Sequence, residues 1–306
     1  MDRLLLAPHS TARGADFSIR PGGAGAMLRQ CRLPSMGIRL DYPPLGPPMP
    51  NAFSRLIGLS AVSLCSLFCT AAYAQSAPQQ SSAWTLGIGA VWSPSPYRSY
   101  SNQAWPLPLV NYEGKLFYFR GATFGFRLFT TDTDEFSLTA SPLGNRFIHD
   151  DSNDPQLRRL SDRDISGLAG VAWRHHADWG VLQASAQKEF TGHGGGEVFD
   201  ANYSYPIKEG SLTLTPTVGL TFNSGAINTY YYGISAADAL RSGLPFYRAA
   251  GGSSPYLGIA ASYKLSQSWA AFAALRYTRL PNAVKDSPMV DASQTQSFLV
   301  ALSHTF

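Results

Sequence analysis

The chain has 306 residues with 24 Lys plus Arg, 20 Asp plus Glu, a formal charge of +4 and three cysteines. All three cysteines (Cys31, Cys65, Cys69), seven of the basic residues and three of the acidic ones lie before residue 75, leaving 17 charges of each sign and no thiol beyond it. That balance excludes polyanion binding driven by bulk charge, a disulfide framework and a thiolate metal centre.

Met49 to Gln75, "MPNAFSRLIGLSAVSLCSLFCTAAYAQ", reads as a secretory signal. Arg55 supplies the positive end, Leu56 to Cys69 the short apolar stretch, and Ala72-Tyr73-Ala74 the small-residue cleavage site. The expected division is a mis-assigned or disordered extension over 1–48, a signal peptide over 49–74 cleaved near Ala74, a linker over 75–83, and one domain over 84–306. No later stretch is long and apolar enough for a membrane helix.

From Trp84 onward the period is two. Trp84, Leu86, Ile88, Ala90 and Trp92 share a parity, with Thr85, Gly87 and Gly89 opposite. Lys115 to Thr130 taken as one strand makes the count eleven, and the even number that a barrel needs splits it near Arg120-Gly121, while Trp179 to Thr191 alternates weakly. Phe199 to Ile207 alternates again. Leu212 to Asn223 is the clearest case: Leu212, Leu214, Val218, Leu220 and Phe222 oppose a face of Thr, Gly and Asn. Leu257 to Leu265, Trp269 to Tyr277 and Ser293 to Phe306 complete the series. Twelve residues exceed the usual globular strand and suit a strand tilted across a bilayer.

The connections alternate as well. Tight turns at 175–178, 208–211 and 266–268 interleave with long links at 149–161, 190–196, 224–253 and 281–292, and Trp92, Tyr263, Trp269 and Tyr277 stand near strand ends as interfacial aromatics. The expectation is an all-β, antiparallel transmembrane β-barrel of the outer membrane, with the long links outside and an even strand number: twelve, with ten or fourteen as alternatives. Pro216, inside a barrel strand, predicts a bulge or a missing ladder bond.

The C-terminal "QSFLVALSHTF" puts Phe298, Val300, Leu302, His304 and Phe306 on one face and ends on an aromatic, resembling the signal read by the outer-membrane assembly machinery, with Phe306 as its key residue. His304 stands where an aromatic is more usual. Together with "TGHGGG" (191–196), "YYGISAADALRSGLPFYRAAGG" (231–252) and "RLPNAVKDSPMV" (279–290), the stretch from Trp84 to Phe306 resembles the MipA/OmpV family of outer-membrane proteins. That resemblance implies a barrel without catalytic residues, surrounded by lipid and lipopolysaccharide, and a partner among murein hydrolase or synthase complexes. No cofactor and no nucleic acid are implied.

Within the longest link, Ser235 is placed to cap a short helix through Arg241, with Asp238 at the capping-box spacing and Gly243 as terminator. Tyr231, Tyr232, Arg241, Phe246 and Tyr247 make this link a candidate interaction loop; the competing expectation is a folded segment sealing the barrel mouth. Asp200, Lys264 and Arg276 are candidate lumen-facing charges, and they keep a narrow solute pore open as an alternative. "GHGGG" offers N–H groups to an anion but lacks Walker spacing. His149 to Asp164 reads as a self-paired charged loop, and His193 alone makes no metal site. No serine carries a nucleophile signature, and His175 and His176 read as turn residues.

Overall fold

The computed structural model describes residues 84–102 and 104–306. The expected extension, signal segment, cleavage site and linker therefore lie outside the described residues.

Among the described residues, thirteen strands form one antiparallel sheet. They are β1 (Trp84–Trp92), β2 (Ala104–Glu113), β3 (Phe117–Arg120), β4 (Thr123–Thr130), β5 (Asp134–Leu143), β6 (Ser166–Ala177), β7 (Gly180–Glu189), β8 (Glu197–Ser204), β9 (Ile207–Glu209), β10 (Leu212–Asn223), β11 (Gly252–Lys264), β12 (Trp269–Arg279) and β13 (Gln294–Thr305). The first and last strands pair from Thr85↔Thr305 to Trp92↔Phe298, so the sheet closes on itself. Both β8 and β9 pair with β10, over Thr217–Asn223 and Leu212–Leu214 respectively, and together form one stave of the barrel. The wall thus has twelve staves, as the even-number argument requires.

The break between β8 and β9 is explained by proline. Tyr205 donates its N–H to the Pro216 carbonyl at 3.1 Å, but Pro216 has no N–H to return. Pro206 follows directly, so the stave loses its ladder for two residues and resumes at Ile207. The missing bond expected at Pro216 is where the sequence placed it. The division of 115–130 also falls as expected, with Gly121 at φ 61 in the turn between β3 and β4.

Outward faces carry the apolar parity. Ile88, Phe126, Leu138, Leu220, Leu257 and Val300 are all exposed to the surroundings, which only a hydrocarbon environment tolerates in a contiguous belt. At the rim of tight turns the belt ends in aromatics: Trp84 lies 4.7 Å from Tyr112, Trp179 6.1 Å from Tyr203, and His304 sits edge-on between Trp269 (5.0 Å) and Phe306 (4.5 Å). His304 therefore serves as an aromatic ring in this girdle. His175 and His176 correct the expected turn: both lie within β6, whose alternation continues to Ala177, and the turn is Asp178-Trp179. His175 joins the girdle against Trp173 and Trp179 (5.9 and 5.8 Å).

At the opposite rim the long links fold together. Helices α1 (Gly225–Tyr232), α2 (Ala236–Ser242) and α3 (Asn282–Lys285) join the segments after β1 and β5 around a core containing Tyr97, Phe147, Leu157, Ile227, Tyr231, Ile234 and Met289. This cap closes the mouth of the barrel.

Candidate functional site

Below the cap lies a lumen cavity of about 210 Å³, lined by polar side chains of β3 to β8 and β10 to β13 and roofed by Tyr232, Leu280 and Val284. The lining includes Ser137, Thr139, Arg174, Gln183, Gln187, Asp200, Asn202 and Arg276. The remaining sector of the lumen, inside β1, β2 and β11 to β13, is apolar, with Val91, Leu109, Ala260, Ala274 and Leu299 buried together. One interior wall is therefore wettable and the other greasy.

Two stacked units repeat inside the wettable part. Tyr118 pairs in register with Gly125 on the next strand, and its ring lies so flat over the glycine that a Cβ there would sit 2.0 Å from the ring. Arg120 stacks above the same ring at 3.7 Å, and the tyrosine hydroxyl meets Ser137 Oγ at 3.0 Å. Tyr256 covers Gly219 in the same way, with Arg276 at 3.5 Å and the hydroxyl donated to Asp200 Oδ1 at 3.2 Å. A missing side chain on one strand makes the space for the ring on its neighbour, and the ring face then holds a guanidinium.

Beneath the first stack, Arg120 and Arg127 share Glu113 and Glu135. Arg120 Nη1 reaches Glu135 Oε1 at 2.8 Å and Arg127 Nε reaches Glu135 Oε2 at 2.6 Å, while Arg127 also pairs with Glu113. Two cations and two carboxylates in forked geometry neutralise one another, which is how charges persist inside a barrel wall. Sequence reasoning missed this cluster, because Glu113 and Glu135 belong to strands separated by a hairpin and meet only through register.

The candidate lumen charges divide. Asp200 and Arg276 line the cavity and are joined through Tyr256, whose ring carries the guanidinium and whose hydroxyl meets the carboxylate. Lys264 shares the lumen parity yet is the last residue of β11 and stands exposed at the rim of tight turns.

The candidate interaction loop divides too. Tyr231 and Tyr232 are buried at 0 and 6 % exposure. Tyr231 Oη meets Ser166 Oγ at 2.7 Å and donates to the Asp164 carbonyl at 3.1 Å, and burial, against the Ser166 hydrogen bonds that pull the other way, pushes its phenol up to about 12. Tyr247 donates to the Ala283 carbonyl at 2.9 Å. Burial removes Tyr231 and Tyr232 from any contact surface; Arg241 and Phe246 remain exposed.

The expected short helix is α2, with Ser235 Oγ accepting from Asp238 N–H at 3.1 Å and Gly243 left-handed at φ 75. Asp238 does more than cap. Its carboxylate accepts from Arg163 Nη2 at 3.1 Å, Ser161 N–H at 3.1 Å and Ser235 Oγ at 3.0 Å, and also pairs with Arg241. Burial works to raise this carboxyl, but the Arg241, Ser235 and Ser161 hydrogen bonds and the Arg163 charge outweigh it and hold it at about 2. The charged loop over 149–164 pairs internally through His149 and Asp162 (2.6 Å) and outward through Arg163. The N–H groups of the glycine loop do hold an anion, the chain's own Glu189, which accepts from Gly195 N–H at 2.9 Å. No group of three or more metal-ligating side chains clusters among the described residues.

A family model described as "MltA-interacting protein MipA" matches residues 86–306. The chain belongs to the MipA family. This member is 38% identical to the MltA-interacting protein of Escherichia coli K12 over 225 residues, covering 73% of this chain and 90% of that protein. It is 36% identical to the putative outer membrane protein YiaT of the same strain over 222 residues, covering 72% and 90%. OmpV of Vibrio cholerae is 23% identical over 210 residues, covering 69% and 81%. A FadL homologue from Pseudomonas aeruginosa aligns with a TM-score of 0.35 and 8% identity over 74% of this chain and 90% of that one, too distant to bear on mechanism. With relatives named as outer membrane proteins and a closed twelve-stave barrel, this MipA family member is an outer-membrane protein.

Proposed function

We propose that this barrel is a non-enzymatic scaffold that presents its rim of tight turns to a murein-remodelling enzyme, with lipid and lipopolysaccharide around its wall and Phe306 as its contact for the assembly machinery. The observation that carries the reading is the cap: a mouth closed by a packed hydrophobic core is poorly suited to an axial channel. The name of the Escherichia coli relative, MltA-interacting protein, supports the class of partner. The rim of tight turns offers Lys115, Lys208 and Lys264 as exposed positions.

Photocrosslinkers at those three lysines, in cells carrying a tagged copy, are expected to trap a murein hydrolase or synthase. Recovery of assembly factors alone would sink the proposal. The polar cavity favours a second reading, a narrow pore for small solutes, and current steps from purified protein in planar bilayers would be its mark. A surface receptor acting through Arg241 and Phe246 is the third; binding lost when both become alanine would favour it.

A further inference from the structure

The twelve staves are unequal in height. Pairing of β2 with β3 covers only Asn111, Tyr112 and Glu113, whereas β1 covers β2 from Ala104 to Tyr112. The β3–β4 hairpin turns at Gly121, and the β4–β5 ladder ends at Phe124↔Ala140. Above that turn, no strand of the described residues lies between Ala104 to Val110 on one side and Ser141 to Leu143 on the other. Ala104 lies opposite Trp92 and Pro108 opposite Ile88, so this notch is at the depth of the lipid-facing belt, on the outer side of the wall.

Its edges are chemically distinctive. Gly114 N–H bonds to the Phe117 carbonyl at 3.0 Å, which fixes the even-numbered residues of β2 as the ones whose backbone groups point toward β3. Pro106 and Pro108 are even, so both imide nitrogens face the notch. Proline is tolerated in a sheet where no partner strand needs its donor, and Pro106 and Pro108 remove two donors from the β2 side of the notch. Along β2 the notch faces four carbonyls, from residues 104, 106, 108 and 110, but only two N–H groups. A further strand, from this chain or another copy, cannot add to such an edge. Carbonyls at hydrocarbon depth nevertheless need donors. Behind the notch, the lining of the polar cavity includes Arg120 and Thr123 beside the turn and Pro142, Leu143 and Gly144 at the far border.

We propose that the notch is a lateral portal, through which a single-chain amphiphile with a hydrogen-bond-donating head group moves between the outer leaflet and the lumen. The apolar chain lies against Leu107 and Leu109 on the greasy interior wall, while the head group is passed from the β2 carbonyls to the polar cavity. The cap blocks the axial route, and the truncated hairpin supplies a sideways one. This portal is independent of any partner at the other rim.

The test uses a long-chain amine carrying a terminal diazirine, the corresponding fatty acid as comparison, and full-length protein with Cys31, Cys65 and Cys69 replaced by serine, reconstituted in liposomes. Peptide mapping after illumination is expected to find label on lumen-facing positions such as Leu107 and Leu109 as well as on the outer belt. Two variants close the notch: a β3–β4 hairpin lengthened by two residues per strand, and Ala122→Cys modified by a bulky maleimide after folding. Either is expected to reduce lumen label roughly tenfold, equivalent to about 1.4 kcal/mol, with belt label unchanged. Label confined to outward-facing residues in the unblocked protein, or lumen label that survives both blocks, would overturn the portal. Equal lumen labelling by the fatty acid would overturn the donor requirement.

Discussion

Replacing Asp238 by alanine should loosen the cap while leaving the barrel closed. The carboxylate is 2 % exposed and ties α2 to the segment between β5 and β6 through Arg163 and Ser161. Breaking a buried ion pair from one side costs about 3 to 5 kcal/mol. Arg163 keeps its bonds to the Tyr230 carbonyl (2.8 Å) and the Asp162 carbonyl (3.2 Å), which places the loss near the lower end. A loss of about 3 kcal/mol in local opening corresponds to roughly 100-fold faster amide exchange. Hydrogen exchange read by mass spectrometry should show this acceleration over 225–247, with strand amides of β10 and β11 unaffected. Acceleration below about fivefold, which is about 1 kcal/mol, would refute the assignment of Asp238 as the cap's anchor. The pH dependence follows from the sign of the shift. A carboxyl held at about 2 when folded contributes its stabilisation in full above the ordinary carboxylate range, and that contribution is lost as pH falls through 2. Parent cap amides should therefore exchange progressively faster between about pH 4 and pH 2 once intrinsic rates are divided out, and Asp238→Ala should flatten that dependence.

Gly125→Ala should destabilise the folded barrel by about 1 to 3 kcal/mol, because the new methyl displaces the Tyr118 ring and with it the Ser137 contact and the Arg120 stack. The urea midpoint of refolded protein measures this, and an unchanged midpoint would mean the ring is not seated on the glycine. Pro216→Thr restores a donor opposite the Tyr205 carbonyl and should raise stability by about 1 kcal/mol; a lower midpoint would show that the break is needed for the β8–β9 bend. Truncation before Phe306 removes a ring of the girdle and the final N–H bond to the Trp84 carbonyl (3.0 Å), so less folded, heat-modifiable protein should reach the outer membrane.

Much of the wall was legible because lipid enforces a strict rule on each strand by itself. The alternation of Leu212 to Asn223 and the missing bond at Pro216 are local consequences of period and a missing N–H, while the division at Arg120-Gly121 follows from the even strand number that a closed barrel needs. Helix α2 was legible for a similar reason, since Ser235, Asp238 and Gly243 carry cap and stop within nine residues. The interior was not. Tyr118 over Gly125 and Tyr256 over Gly219 are made by register between neighbouring strands, and neither tyrosine is marked by its own flanks. His175 and His176 were mistaken for a turn because two polar rings before Ala177-Asp178 imitate one, whereas one belongs to the girdle and the other continues the inward face. Tyr231 and Tyr232 resembled a contact surface by composition, and only the convergence of distant links shows them to be core.

That convergence also dictates an order of events during biogenesis. Tyr97, just after the first strand, bridges to Val290, just before the last, and its hydroxyl donates to the Tyr231 carbonyl at 3.1 Å. Residues so far apart in the chain meet only after the seam between β1 and β13 has zipped, since the loop-closure entropy must be met before the contact can form. Resistance of the outer links to protease would then act as a built-in certificate that a newly inserted barrel has finished closing.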